Sequence, residues 1–152
     1  MRSSNASVRA RSGTTDRCKA SVWPSSAPTA TGIEVVGASA LAALRFGEPE
    51  AETIAARLAG ARLAAPSLLA YELSNVCLTK IRRQPGQRAT LRAAFGLANR
   101  LKIETVAVDQ GAVLDLAEAT GLTAYDASYP WLARMLGGEL VTLARRLAAA
   151  FA

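Results

Sequence analysis

The sequence predicts an α/β fold in three layers, with a mainly parallel sheet of four to five strands flanked by helices. Three observations lead there. Four short apolar runs of strand type alternate with helical stretches of ten or more residues, the length that parallel crossovers need. Capping and breaking residues fall at the junctions between them. Roughly a fifth of the 152 residues are alanine, the strongest helix former.

Ile33–Val36 reads as a short, partly buried strand. Ser39 is placed to cap a helix running to about residue 46, which Gly47 ends. Glu48, Pro49 and Glu50 suit the opening of a second helix reaching residue 59, with proline in the first turn and acids at the positive end of the dipole. Residues 62–65 give a weak strand signal, stopped by Pro66. Ser67 then caps a helix in which Leu69, Leu73, Val76, Cys77 and Ile81 recur at spacings of three and four. Gln84-Pro85-Gly86 is a turn, and residues 87–101 are helical with Gly96 as a weak point. The clearest strand is 103–108, with Asp109 capping a helix over 110–120 that Gly121 closes. Thr123 begins a helix ending at Gly137-Gly138, Pro130 falls inside it, and a strand over 139–143 precedes a short C-terminal helix.

Residues 1–31 stand apart from this domain, which spans 32–152. They hold five basic residues against Asp16 alone, so they carry +4 of the net charge of +6. Rich in Ser, Thr, Arg and Pro and without apolar periodicity, they are expected to be a disordered tail. Three origins compete for it: an organellar-type targeting peptide, an RNA-binding arm, or a start assigned too far upstream. The last is preferred, because the domain begins cleanly at Ile33. Cys18 and Cys77 offer no disulfide framework or zinc spacing, which fits a reducing, cytoplasmic setting. The absence of histidine removes His-based triads and His metal sites. No apolar run approaches the ~20 residues of a membrane span.

Sites in open parallel sheets lie beyond the carboxyl ends of the strands. Gly37 and Ala144 sit at two such ends, Glu72 lies early in the helix after the second strand, and Asp126 lies in the first turn of the helix before the last. A fold that gathers these four positions forms a pocket at one edge of the sheet. The stretches Val-Val-Gly-Ala-Ser-Ala-Leu (35–41), Tyr-Glu-Leu-Ser-Asn (71–75), Thr-Ala-Tyr-Asp-Ala-Ser-Tyr (123–129) and Glu-Leu-Val-Thr-Leu-Ala-Arg-Arg-Leu (139–147), in that order, resemble the PIN-domain family. More narrowly they resemble the VapC-type toxins of toxin–antitoxin pairs, over about residues 33–150.

The resemblance implies a PIN-like fold and hydrolysis of RNA phosphodiesters with Mg²⁺ or Mn²⁺ held by carboxylates, hard ligands suited to those ions. By position Glu72 and Asp126 match family acids, as catalytic and metal-binding residues. Gly37 and Ala144 occupy acid positions and cannot ligate through a side chain, so any ion is expected to be weakly bound. Ser39 matches a hydroxyl near the first acid, and Thr142 is expected on the same strand face as Ala144. Asn75 is placed to orient Glu72 or a water. Arg145 and Arg146 are candidates for RNA phosphates. Arg82, Arg83, Arg88 and Arg92 read as a solvated face, with contact to a phosphate backbone as the alternative, and Asp109 is a remote candidate for the site. Glu34 is no substitute ligand, being on the opposite strand face from Gly37.

Trp131, Leu132 and the apolar residues of the first two helices (Leu41, Leu44, Phe46, Ile54, Leu58) are expected in the core. In similar toxins that helical region also contacts the antitoxin and a second copy of the chain. An antitoxin, RNA and a homodimer are therefore the expected partners, and no membrane. The alternative reading is a catalytically inactive PIN-like module that binds an antitoxin or RNA.

Overall fold

The computed structural model describes residues 32–97 and 100–152, and the expectations for the tail lie outside them. Four parallel strands form one sheet in the order β3-β2-β1-β4, made of Ile33–Val36 (β1), Arg62–Pro66 (β2), Ile103–Val106 (β3) and Glu139–Val141 (β4). Among the described residues seven α-helices connect and follow them: Ala38–Phe46 (α1), Ala51–Leu58 (α2), Leu69–Arg83 (α3), Arg88–Leu97 (α4), Gln110–Thr120 (α5), Ala124–Leu136 (α6) and Arg145–Phe151 (α7). The α/β prediction and its four strands are borne out.

The strand order dictates the layers. From β1 to β2 to β3 the chain steps one way, and from β3 to β4 it returns past both. Right-handed crossovers then place α1–α4 on one face and α5–α6 on the other. The packing agrees: α1 meets α2, α3 and α4, while α6 meets α5, α7 and the strands β1, β2 and β4. The direction reverses between β1 and β4, so the crevice beyond the carboxyl ends of those two strands is the topological switch point.

Val35, Val36, Leu41, Tyr129, Pro130 and Leu132 are the heart of the core, all fully buried. Of the expected core residues, Ile54 and Leu58 are also buried, while Leu44, Phe46 and Trp131 pack against it from its edge. Asp109 and Thr123 cap α5 and α6 as expected, accepting from the amides of Ala112 and Asp126 at 3.0 and 3.1 Å. Glycines 47, 121 and 137 close α1, α5 and α6 in the left-handed conformation that glycine adopts without strain. Gly138 has a different constraint, because a Cβ there would lie 2.6 Å from the carbonyl oxygen of Ile33.

Some boundaries move. Neither Ser39 nor Ser67 caps a helix: α1 and α3 start from Gly37 and Leu68, with no side-chain cap bond. α2 begins at Ala51, past the Glu48–Glu50 opening. Pro66 closes β2 from within, paired with Val106, at a strand end where its missing N–H is tolerated. β3 stops at Val106 and β4 at Val141, both shorter than the sequence suggests. A short 3₁₀ turn at Pro85–Gln87 precedes α4.

Glu34 faces away from Gly37 and pairs with Arg57 at 3.5 Å, and it stands in register with Glu139 on the neighbouring strand β4. Burial above all raises its pKa; Arg57 opposes this and the charge of Glu139 adds to it. Between the ordinary carboxylate range and the raised folded value, the folded protein holds more protons than the unfolded chain. Stability therefore falls as pH rises through that window. Glu34→Gln is expected to raise the melting temperature at pH 7, by less than about 1 kcal/mol of stability, the scale of such partly exposed pairs. The gain should vanish in acid, as thermal melts at both pH values would show.

Candidate functional site

Glu72 sits in the first turn of α3, directly after β2, and Asp126 in the first turn of α6. Both places follow from local chemistry. Thr123 caps α6 through the Asp126 amide, which fixes that residue in the helix opening, where the dipole favours its carboxylate. The amide of Glu72 donates to the carbonyl of Leu68 at 3.1 Å and starts α3.

The two acids and Asn75 line one cleft of about 500 Å³. Leu68 and Thr123 contribute to its walls, together with Tyr71 and Tyr125. The Tyr129 hydroxyl donates to Glu72 Oε2 from inside the core. Burial is the strongest influence on the Glu72 carboxyl and raises its pKa; the Tyr129 bond opposes the rise, and the charge of Asp126 adds to it. Burial likewise pushes the Tyr129 pKa up, so the phenol stays protonated and keeps donating. A cation placed between the two acids would offset the Asp126 charge that acts on Glu72.

Gly37 and Ala144 lie at the switch point. The Gly37 amide donates to the Val141 carbonyl at 2.8 Å, and Ala144 is the residue before α7. Around them runs a hydroxyl network. Ser39 Oγ and Thr142 Oγ1 are 3.1 Å apart, the Leu143 amide donates to Ser39 at 2.9 Å, and the Ala144 amide to Thr142 at 3.1 Å. The expectation that Thr142 shares a strand face with Ala144 is overtaken, because β4 ends at Val141 and alternation stops there. A Cβ on Gly37 would meet Thr142 Oγ1 at 3.1 Å and Thr142 Cβ at 3.2 Å. These four residues are knit to one another and do not line the Glu72–Asp126 cleft.

Other candidates lie elsewhere. Arg146 donates to the Gly121 carbonyl at 3.0 Å, away from the acid cleft, and Arg145 is exposed at the start of α7. Arg82, Arg83, Arg88 and Arg92 are exposed, in keeping with a solvated face. Asp109 serves as a cap, with its oxygen on the Ala112 amide. α6 runs through Pro130, which has no N–H to offer the Asp126 carbonyl. The contact of Tyr129 with Glu72 was missed in the sequence. Its one signal was the spacing, since Tyr129 stands three residues after Asp126 and so on the same helix face.

Residues 35–150 match the PIN domain family. The chain belongs to the PIN-domain family. This PIN domain is 34% identical over 122 residues to Ribonuclease VapC3 of Pyrobaculum aerophilum, covering 77% of this chain and 93% of that protein. Its fold is also similar to the crystal structure of PAE2754 from Pyrobaculum aerophilum. There the TM-score is 0.65 at 28% identity, over 80% of this chain and 87% of the other. The PIN-like fold and the VapC-type resemblance are thus supported well beyond the four short stretches that suggested them.

PIN-domain nucleases of the VapC type generally depend on a divalent metal. In this PIN domain, no group of three or more His, Cys, Asp or Glu side chains gathers to hold an ion among the described residues. Glu72 and Asp126 suit one Mg²⁺ or Mn²⁺ that keeps most of its waters, since such ions bind through one or two carboxylates. They do not suit two ions. No helix among the described residues is long and apolar enough to cross a membrane.

Proposed function

We propose that this chain is a VapC-type toxin of a toxin–antitoxin pair, an endoribonuclease whose site is reduced to Glu72 and Asp126. The observation that carries the reading is that these two carboxylates line one cleft, where the charge of Asp126 acts on Glu72. When bound, a divalent ion would supply a water of lowered pKa and offset charge on the phosphate. The protein's part is to hold the two acids: Tyr129 fixes Glu72, and the Thr123 cap fixes Asp126. Asn75 lies within the cleft, one turn after Glu72, to orient a water. With two carboxylates in place of four, activity falls well below that of a fully equipped site. An antitoxin and a second copy of the chain are the proposed protein partners.

A second reading has its own observation. The Ser39–Thr142 network fills the switch point with satisfied hydrogen bonds, leaving a well-knit surface where further carboxylates would stand. That favours a binding module that captures an antitoxin or RNA without cutting.

The test is cleavage of RNA by purified chain free of any partner, with Mn²⁺ or Mg²⁺. Slow cleavage that Asp126→Ala lowers by about tenfold or more supports the enzyme reading. No cleavage above the Asp126→Ala background supports the binding module.

A further inference from the structure

Two aromatic rings stand open at the acid cleft. Tyr71 is 80% exposed and Tyr125 is 71% exposed, and both line the space that Glu72 and Asp126 share. Each immediately precedes one of the acids, Tyr71 on α3 and Tyr125 on α6, so the rings come from the two helices that wall the cleft. Tyr129, by contrast, is 1% exposed and held by Glu72. The exposed rings contribute little to the core, and neither hydroxyl is needed to position an acid.

Among the described residues, no lysine or arginine lines this cleft. A nucleic-acid backbone entering it meets two negative side chains and no fixed positive one. Within the cleft, attraction is left to a cation between the acids and to the faces of the bases. Every base has a π-face, so stacking on tyrosine tolerates any sequence. Only unpaired bases can offer those faces, because a duplex hides them.

We propose that Tyr71 and Tyr125 form a stacking platform for unpaired bases of single-stranded RNA, holding the strand over Glu72 and Asp126. This rests on the reading of the cleft as an RNA site. It predicts little base preference at the two stacked positions.

The experiment uses the full chain and a short single-stranded oligoribonucleotide of mixed sequence carrying 2-aminopurine, whose fluorescence drops on stacking. Ca²⁺ in the buffer offsets the charge of the acids. The wild-type chain is expected to quench the probe and to bind it more tightly than a hairpin of the same composition. Tyr71→Ala and Tyr125→Ala should each weaken binding by about tenfold and relieve the quenching, while Tyr71→Phe and Tyr125→Trp keep both. Thermal melts should be unchanged, since both rings are exposed. Equal binding by the alanine variants, equal affinity for the hairpin, or no binding by the wild-type chain would overturn the platform. So would alanine variants that lose only a protein partner. Tyrosine-dependent binding without any Mn²⁺-dependent cleavage keeps the platform and removes the hydrolase reading. Cleavage untouched by both alanine substitutions does the reverse.

Discussion

Gly37→Asp combined with Ala144→Asp is expected to raise Mn²⁺-dependent RNA cleavage by about a hundredfold or more. Losing a residue that merely supports a metal ligand typically lowers activity by about 10- to 100-fold. On the proposed reading, in which both positions once carried ligands, supplying two carboxylates should return at least that much. The placement is favourable in one respect, because both positions lie at the switch point, where α/β sheets bind ligands. The two substitutions differ in what they meet. Ala144 is the N-cap of α7 without a capping side chain, so aspartate alone there should stabilise the helix by about 1 kcal/mol. Aspartate at 37 must push Thr142 by a few tenths of an ångström and loosen its bonds to Ser39 and to the Ala144 amide. The single Ala144→Asp variant should therefore melt higher than the parent, and the double variant somewhat lower than that single one. A folded double variant with no gain in cleavage would show that these positions do not belong to a metal site.

Gly138→Ala is expected to destabilise the fold by about 2–3 kcal/mol, lowering the melting temperature by roughly 5–10 °C. The new methyl would stand 2.6 Å from the Ile33 carbonyl oxygen and 3.1 Å from the Ile33 Cβ. A flexible side chain would move aside, but this neighbour is backbone. Ile33 is tied to Arg62 across the β1–β2 ladder, and the next residue is in register with Glu139. Relief means shifting β4 against β1, and with it the loop that carries Thr142 and Ala144. Gly96→Ala is the contrast. It has open space around it in the last turn of α4, so it should gain up to about 0.5–1 kcal/mol from lost glycine freedom. Denaturant or thermal unfolding of the two variants side by side checks both signs.

What the sequence revealed follows the reach of each interaction. Asp109 and Thr123 were legible as caps because their partners lie three residues away. Ser39 has the same chemistry, but its hydroxyl bonds to Thr142, 103 residues on, and no local rule anticipates that. Glu72 and Asp126 were legible through the short stretches that contain them, and the fold brings both to one cleft. The hand that holds Glu72 was not, since Tyr129 is 57 residues distant. Arg146 looked free to meet a phosphate, yet it braces the end of α5 through the Gly121 carbonyl. Strand ends were the least visible feature. The strand-like pattern continues past Val106 and Val141, while the backbone leaves the ladder there.

The phenol of Tyr129 is a chromophore wired to a carboxylate at the surface. Whatever changes the charge on that carboxylate, a proton or an ion, perturbs the ring's near-ultraviolet absorption. Difference spectra of the parent against Tyr129→Phe would then titrate occupancy of the cleft directly, with no label attached and no reaction required.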